Sequence, residues 1–167
     1  SVGLTSMALS TAQHAQGVAY YDPLGGLQPH LTARYLCPSP FLVLQHQMES
    51  PEIVGDLCLK LLDEVELVVW DDVGVWPGEG LYGQIRRMVG KLAGTQGRLL
   101  VLTHHDRPER PPGDWAMSFY AAQRLEMRRL SADFSGRQRI QIRCDKNVEG
   151  PAFRRAVLTH NLEEKNV

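Results

Sequence analysis

Four groups of side chains in this sequence have the type and spacing to do chemistry. Arg107, Arg110 and Trp115 share one short stretch rich in proline. Cations beside an aromatic ring suit a single nucleic-acid strand, by phosphate contact and base stacking. The plain alternative is a solvated loop with Trp115 packed on the core. Arg139 and Arg143 alternate with Ile140 and Ile142, which puts the two arginines on one face of a strand, with Lys146 following. That face either meets an anion or is simply solvated. Asp71, with Asp72 beside it, follows the apolar run Leu67-Val68-Val69-Trp70 and stands where a buried strand meets solvent. His104 and His105 follow a second apolar run. Zinc there would need more ligands than Asp106, the one candidate nearby, so zinc is not expected. At the start, Gly3-Leu4-Thr5-Ser6 opens a helix, whose N-terminus favours anions.

The elements that must position these groups can be read from pattern. Thr5 to Gln16 is rich in Ala, Met and Leu and predicts a helix with Thr5 as its cap and Gly17 as its stop. Val18 to Tyr21 predicts a short strand, followed by Asp22-Pro23 and the turn residues Gly25-Gly26. Ser50-Pro51-Glu52 is a helix start, with a cap, a proline in the first turn and an acid behind it. Ile53, Leu57, Leu61 and Val65 then recur at four-residue steps and predict its buried stripe. Leu67 to Trp70 predicts a strand buried on both faces, as in a parallel sheet. Ile85, Met88, Val89 and Leu92 stripe a further helix closed by Gly94, and Leu99 to Leu102 predicts a second fully buried strand. From about Leu125 the period becomes two, and Ser135-Gly136 predicts the turn of a hairpin. The fold class is therefore α/β, with a mostly parallel sheet and helices on both faces, then an antiparallel extension.

At 167 residues the chain has the length of one domain, and 43% hydrophobic with 22% charged residues is the composition of a soluble protein. No apolar run approaches the roughly 18 residues that span a bilayer, so no membrane is expected. Residues 1 to 5 lack the basic and apolar regions of a signal peptide. A net charge of −1 supplies no global field toward nucleic acid. Locally the balance differs: from Arg128 to Arg155 there are eight Arg or Lys against three acids, enough to make that third of the chain basic. Cys37, Cys58 and Cys144 form neither a disulfide framework nor a zinc spacing, which points to a reducing cytoplasm.

Phe119-Tyr120-Ala121-Ala122-Gln123-Arg124-Leu125-Glu126-Met127-Arg128-Arg129 resembles the F-Y-A-x-x-R-L-x-[IM]-R-R segment of RecA-type recombinases. Once it sets the register, weaker resemblances fall in order along nearly the whole chain. Ser1 to Ala12 resembles the end of the phosphate loop and its helix, and Leu67 to Val73 a Walker B segment. Met88-Val89-Gly90-Lys91-Leu92-Ala93-Gly94 is similar to the helix ending M-R-K-L-A-G, and Asn147 to Ala156 to the late strand pair. The resemblance implies one RecA-like P-loop domain over residues 1–167. The N-terminal part of its phosphate loop would lie before Ser1, and neither the family's N-terminal helix nor its C-terminal domain is expected here.

It also implies which positions should handle ATP and magnesium, and two of them depart from the pattern. The phosphate-loop lysine falls at Leu4, and the water-activating glutamate after the next strand falls at Leu24. Gly3, Thr5 and Ser6 remain on the phosphate side, with Thr5 and Asp71 as the magnesium pair and His105, or His104, near the γ-phosphate sensor. Without the charge at 4 and the base at 24, most phosphoryl-transfer catalysis is expected to be lost. Arg107, Arg110 and Trp115 fall on the second DNA-contacting loop. Arg139, Arg143 and Lys146 fall on the basic strand pair, where Lys146 is the nearest match to a residue that contacts a neighbouring subunit's nucleotide.

Gly3-Leu4-Thr5-Ser6-Met7-Ala8 and Ala19-Tyr20-Tyr21-Asp22-Pro23 are also similar to the ImuA group, RecA-derived accessory proteins of translesion synthesis. That implies a place in the SOS response. The expected function is a non-catalytic RecA-like protein of DNA repair or recombination, binding single-stranded DNA, a repair polymerase or a RecA-type recombinase, with homo-oligomers open. The rivals are a working ATP-dependent recombinase, with a lysine such as Lys146 supplied by a neighbour, and a docking module without DNA affinity that uses an apolar patch at Trp76.

Overall fold

The computed structural model describes residues 3–35, 40–45, 50–71, 78–103, 119–132, 137–150 and 154–161. Along the chain run α1 (Leu4–Ala12), β1 (Val18–Tyr21), α2 (Pro29–Arg34), β2 (Phe41–Leu44), α3 (Pro51–Leu61), β3 (Leu67–Trp70), α4 (Gly78–Leu92) and β4 (Arg98–Val101). Then come β5 (Gln123–Ala132), β6 (Arg137–Asn147) and β7 (Arg155–Asn161). They form two compact units, one over Leu4–Tyr120 and one from Gly3 with the chain from Ala121 onward. No helix among the described residues is long and apolar enough to cross a membrane.

The first unit is an α/β layer structure. Its parallel strands lie in the order β2-β1-β3-β4. β1 and β3 take the two central places and are buried at every residue, as their unbroken apolar sequences require. Alternation splits them between two cores. Val18, Tyr20, Leu67 and Val69 pack with Ala8, Leu9 and Ala12 of α1, while Ala19, Tyr21, Val68 and Trp70 pack with Val54 and Cys58 of α3 and Leu81, Ile85 and Met88 of α4. The expected α/β class, with helices on both faces of a parallel sheet, is what the structure has.

Four expectations need correction. Two elements, α2 and β2, were not anticipated; β2 is a four-residue apolar run that supplies one outer strand of the sheet. The helix expected over Thr5 to Gln16 is shorter and starts one residue earlier, so Thr5 lies inside its first turn and is not its cap. Gly3, at φ 71°, makes the bend before it, and bonds from His14 N to Thr11 O and Ala15 N to Ala12 O tighten its end, with Gly17 at φ 95° turning the chain into β1. In α3 the buried stripe is Val54, Gly55 and Cys58, continued by Leu62, whereas Ile53 is half exposed. Apolar residues stand in adjacent pairs at 53/54, 57/58 and 61/62, so four-residue spacing fits two helix faces and packing on α4 selects the second. Finally, β4 is not fully buried: it is an outer strand of the described sheet, exposed at Arg98 and partly buried from Leu99 to Val101.

Ser50 caps α3 as expected, its hydroxyl accepting from Ile53 N at 3.4 Å, with Pro51 next. The contact between α3 and α4 depends on glycine from both sides. A Cβ on Gly80 of α4 would stand 2.8 Å from Pro51 Cγ, and one on Gly55 of α3 would stand 2.8 Å from Cδ of the buried Gln84. At the amino-terminal edge of the sheet, Glu66 accepts from Gln16 N at 2.6 Å and pairs with Arg98. The Gln16 N–H first, then Arg98, hold the Glu66 carboxyl below its ordinary value.

The second unit is an antiparallel sheet in the order β5-β6-β7. β5 and β6 pair from Gln123↔Asn147 to Ala132↔Gln138, as a hairpin requires; its turn at Ser135-Gly136 lies outside the described residues. Its register shifts by one residue at Leu130 and at Asp145.

Because the Pro51 ring cannot yield, Gly80→Val is expected to lower stability by about 1–3 kcal/mol despite its better helix propensity, read as a fall in urea midpoint at unchanged slope. Glu66 gives a pH signature. Its folded-state pKa is depressed, so its contribution is present above the ordinary glutamate value of 4.5 and is lost as pH falls toward the folded value. Thermal melts across that acid range are expected to fall less steeply in Glu66→Gln than in the wild type.

Candidate functional site

The strands of the parallel sheet begin level, with Val18 opposite Phe41 and Leu67, and Leu67 opposite Arg98. They therefore also end level, and the ladder runs one residue further. Asp22 N donates to Leu44 O, Asp71 N to Tyr21 O and Leu102 N to Trp70 O, each at 2.9 Å. Backbone hydrogen bonds thus hold Asp22 and Asp71 on neighbouring strands at the carboxyl edge. The chain leaves β1 toward β2 on one side and leaves β3 toward β4 on the other, so Asp22 and Asp71 flank the point where the strand order reverses. In open parallel sheets ligands bind at this crevice.

Asp22 and Asp71 are both buried. The Asp22 carboxylate accepts from Leu27 N at 2.7 Å and from Gln45 Nε2 at 3.0 Å, and Gln45 Nε2 also donates to Leu27 O at 2.7 Å. These bonds tie the loop after β1 to the end of β2. The loop also contains Gly25 at φ 67°, whose N–H donates to Asp22 O, and Leu24, which is 62% exposed. On Asp71, Oδ2 accepts a 2.6 Å hydrogen bond from the fully buried Tyr20 hydroxyl. Burial above all, then the bond to Asp71 and the charges of Asp71 and Asp22, hold that hydroxyl firmly protonated. Tyr20 and Asp71 therefore join the two central strands through their side chains.

Leu4 packs partly on the core shared by α1, β1 and β3, as an apolar side chain does at a helix start lacking lysine. Thr5 and Ser6 in the first turn are half buried. The structure thus ties Asp71 to Tyr20 and sets Thr5 and Ser6 in the first turn of α1, just after Gly3. His104, His105, Arg107, Arg110 and Trp115 lie outside the described residues, as do Asp72 and Trp76. Burial pushes the Cys58 thiol up to about 12, which leaves it inert.

Of the basic strand residues, Arg139 is exposed and sits in register with Ser131 and Thr159. Arg143 is pinned: Nε donates to Asp145 Oδ1 and a terminal nitrogen reaches Glu126 Oε2, both at 2.6 Å. The Asp145 bond, followed by the charges of Glu126 and Asp145, raises its pKa further. Lys146 is partly buried opposite Arg124. Arg128, Arg139, Arg143 and Arg155 share the sheet face with Glu126, whereas Met127, Ile140, Ile142 and Leu158 share the other.

Tyr20 and Gln45 were not singled out from the sequence. The one signal was a tyrosine in an otherwise apolar buried strand, since a buried phenol needs a hydrogen-bond partner. Asp22→Ala is expected to cost about 1–3 kcal/mol, because Leu27 N and Gln45 Nε2 lose their acceptor. Urea denaturation would show it, and Asp22→Asn is expected to recover part of the loss.

No family model matches the chain. Among curated proteins, Protein RecA of Synechococcus sp. (strain CC9902) is 26% identical over an aligned span of 187 positions, which takes in 90% of this chain and 48% of that protein. The chain thus spans about half the length of the curated relative it matches. The likeness over most of the chain and the parallel α/β core with its antiparallel extension point the same way, to a RecA-like relationship.

Proposed function

We propose that this chain is a RecA-related protein of DNA repair or recombination that works by binding, not by ATP turnover. What supports this reading is the pair of side chains that the RecA resemblance sets at the two positions ATP chemistry requires. Leu4 packs on the core where a lysine would reach phosphate, and Leu24 lies exposed on a tied loop where a glutamate would activate water. Neither can supply a charge to a transferring phosphoryl group or accept a proton from water. By the resemblance, Thr5 and Asp71 are the residues that would hold magnesium on a bound nucleotide, but the Tyr20 hydroxyl is hydrogen-bonded to Asp71. We therefore assign no step to ATP; Gly3, Thr5, Ser6, Asp71 and His105 are at most a vestige of a nucleotide site.

The DNA-contacting residues we propose are Arg107, Arg110 and Trp115 in the first unit and, as a separate patch of the second, the basic sheet face carrying Arg139, with Lys146 further along the same strand. Arg143 serves that face as a shaped support, since Glu126 and Asp145 already offset its charge. The partners proposed are single-stranded DNA and a repair polymerase or RecA-type filament in the cytoplasm, with a place in the SOS response as in the ImuA group.

Fluorescence anisotropy of labelled single-stranded DNA, at two salt concentrations and with or without Mg-ATP, tests this. Expected are salt-sensitive binding indifferent to Mg-ATP, no ATP turnover, and a salt slope lower by about 0.7 for each phosphate-contacting arginine removed in Arg107→Ala or Arg110→Ala. Binding that appears only with Mg-ATP, or measurable turnover, would establish the ATP-dependent recombinase in its place. Absence of binding under all conditions would leave the protein-docking module.

A further inference from the structure

We infer that the outer edge of β7 pairs with the same edge of a second copy of this chain, antiparallel about a twofold axis centred on Leu158. The inference goes beyond the DNA-binding reading and does not rest on it.

Among the described residues β7 pairs with β6 alone, so it is an outer strand of its sheet. Cys144 N donates to Arg154 O at 2.9 Å. In an antiparallel pair, bonded positions alternate with non-bonded ones. The register therefore makes Ala156 and Leu158, opposite Ile142 and Ile140, the next bonded positions. The residues between them, Arg155, Val157 and Thr159, turn their N–H and C=O groups away from β6. Arg155 to Thr159 are all exposed, Val157 by 47% and Leu158 by 51%. Such a row of outward backbone groups is a template for a further strand.

Proteins blunt edges of this kind with bulges, charges or proline. β5, the other outer strand of the sheet, is blunted in this way. Its register shifts at Leu130, and Arg124, Glu126 and Arg128 lie along it. β7 runs its whole length against β6 without a register shift, and from Ala156 to Asn161 it has no Asp, Glu, Lys, Arg or Pro.

The strand fits a second copy of itself. Antiparallel self-pairing of the seven residues Arg155–Asn161 matches every residue only when centred on Leu158. That register sets Val157 opposite Thr159 and Arg155 opposite Asn161, so outward groups meet outward groups and no arginine faces another. Leu158 meets its own copy at a non-bonded position, where side chains come closest. The sheet face of Met127, Ile140, Ile142 and Leu158 then continues across the join. Charge selects the same direction. In the sequence Arg154-Arg155 opens the strand, and Glu163-Glu164 comes soon after Asn161. Antiparallel pairing sets the basic start of one copy beside the acidic end of the other, whereas parallel pairing would set like charges together.

A join of one strand pair is small for an interface, so a weak dimer is expected. The test is sedimentation and NMR amide exchange at low and high protein concentration, without nucleic acid. The mass is expected to double at high concentration. Exchange at Val157 and Thr159 is expected to slow about tenfold once about nine in ten chains are paired. Val157→Pro removes one outward N–H and leaves the ladder to β6 whole, and it is expected to stay monomeric. Leu158→Lys and Leu158→Glu are each expected to stay monomeric alone and to pair when mixed. A wild type that is monomeric at every concentration overturns the inference. A dimer that survives Val157→Pro, or whose protected amides lie elsewhere, overturns it as well. Should Val157→Pro not fold, the two Leu158 variants decide. Pairing only in their mixture supports the join, and any other result overturns it.

Discussion

The level, parallel registration of β1 and β3 is the constraint on which the rest of the first unit depends. Both strands are apolar on both faces, so both must be covered on both sides, and that need recruits α1 to one face and α3 with α4 to the other. Their shared start at Val18 and Leu67 dictates a shared end. The carboxyl edge is therefore not an incidental surface. It is where two buried strands release their first polar residues, and the hydrogen-bond ladder carries those residues a step past the sheet before the chain turns away. A shift of one residue between the strands would exchange the two cores and bury the wrong set of side chains.

That edge puts two neighbouring carboxylates to contrasting uses. Asp22 is spent on its own loop, holding Leu27 and Gln45. Asp71 faces the phenol of Tyr20. Both are buried, and each is reconciled with burial by specific donors, as a charged group in such a place must be. The second unit treats charge differently. Arg128, Arg139, Arg143 and Arg155 gather on one sheet face, with Glu126 and Asp145 set to hold Arg143 in position.

Much of this was legible in the residues, and the exceptions have physical reasons. The central strands were visible because continuous apolar runs of four have few other uses in an α/β chain. Ser50-Pro51-Glu52 announced α3 because each residue does a separate job at a helix start. The buried face of α3 was not legible because paired apolar residues satisfy two faces equally, and only the glycine-mediated approach of α4 breaks the tie. β2 was missed although Phe41 to Leu44 is an apolar run as long as those of β1 and β3, since four residues beside Pro38 and Pro40 read equally well as the continuation of a loop. At the site, Asp71 was legible from its place after a buried strand. Tyr20 was not, because a tyrosine within a hydrophobic run reads as core until the partner of its hydroxyl is known.

The Tyr20–Asp71 bond fastens the two central strands a second time, through side chains as well as backbone. A change at either residue leaves the other buried with one hydrogen-bond partner fewer. Positions 20 and 71 are therefore coupled: what one can become depends on what the other is, and the pair, not either residue alone, is the unit on which selection for folding acts.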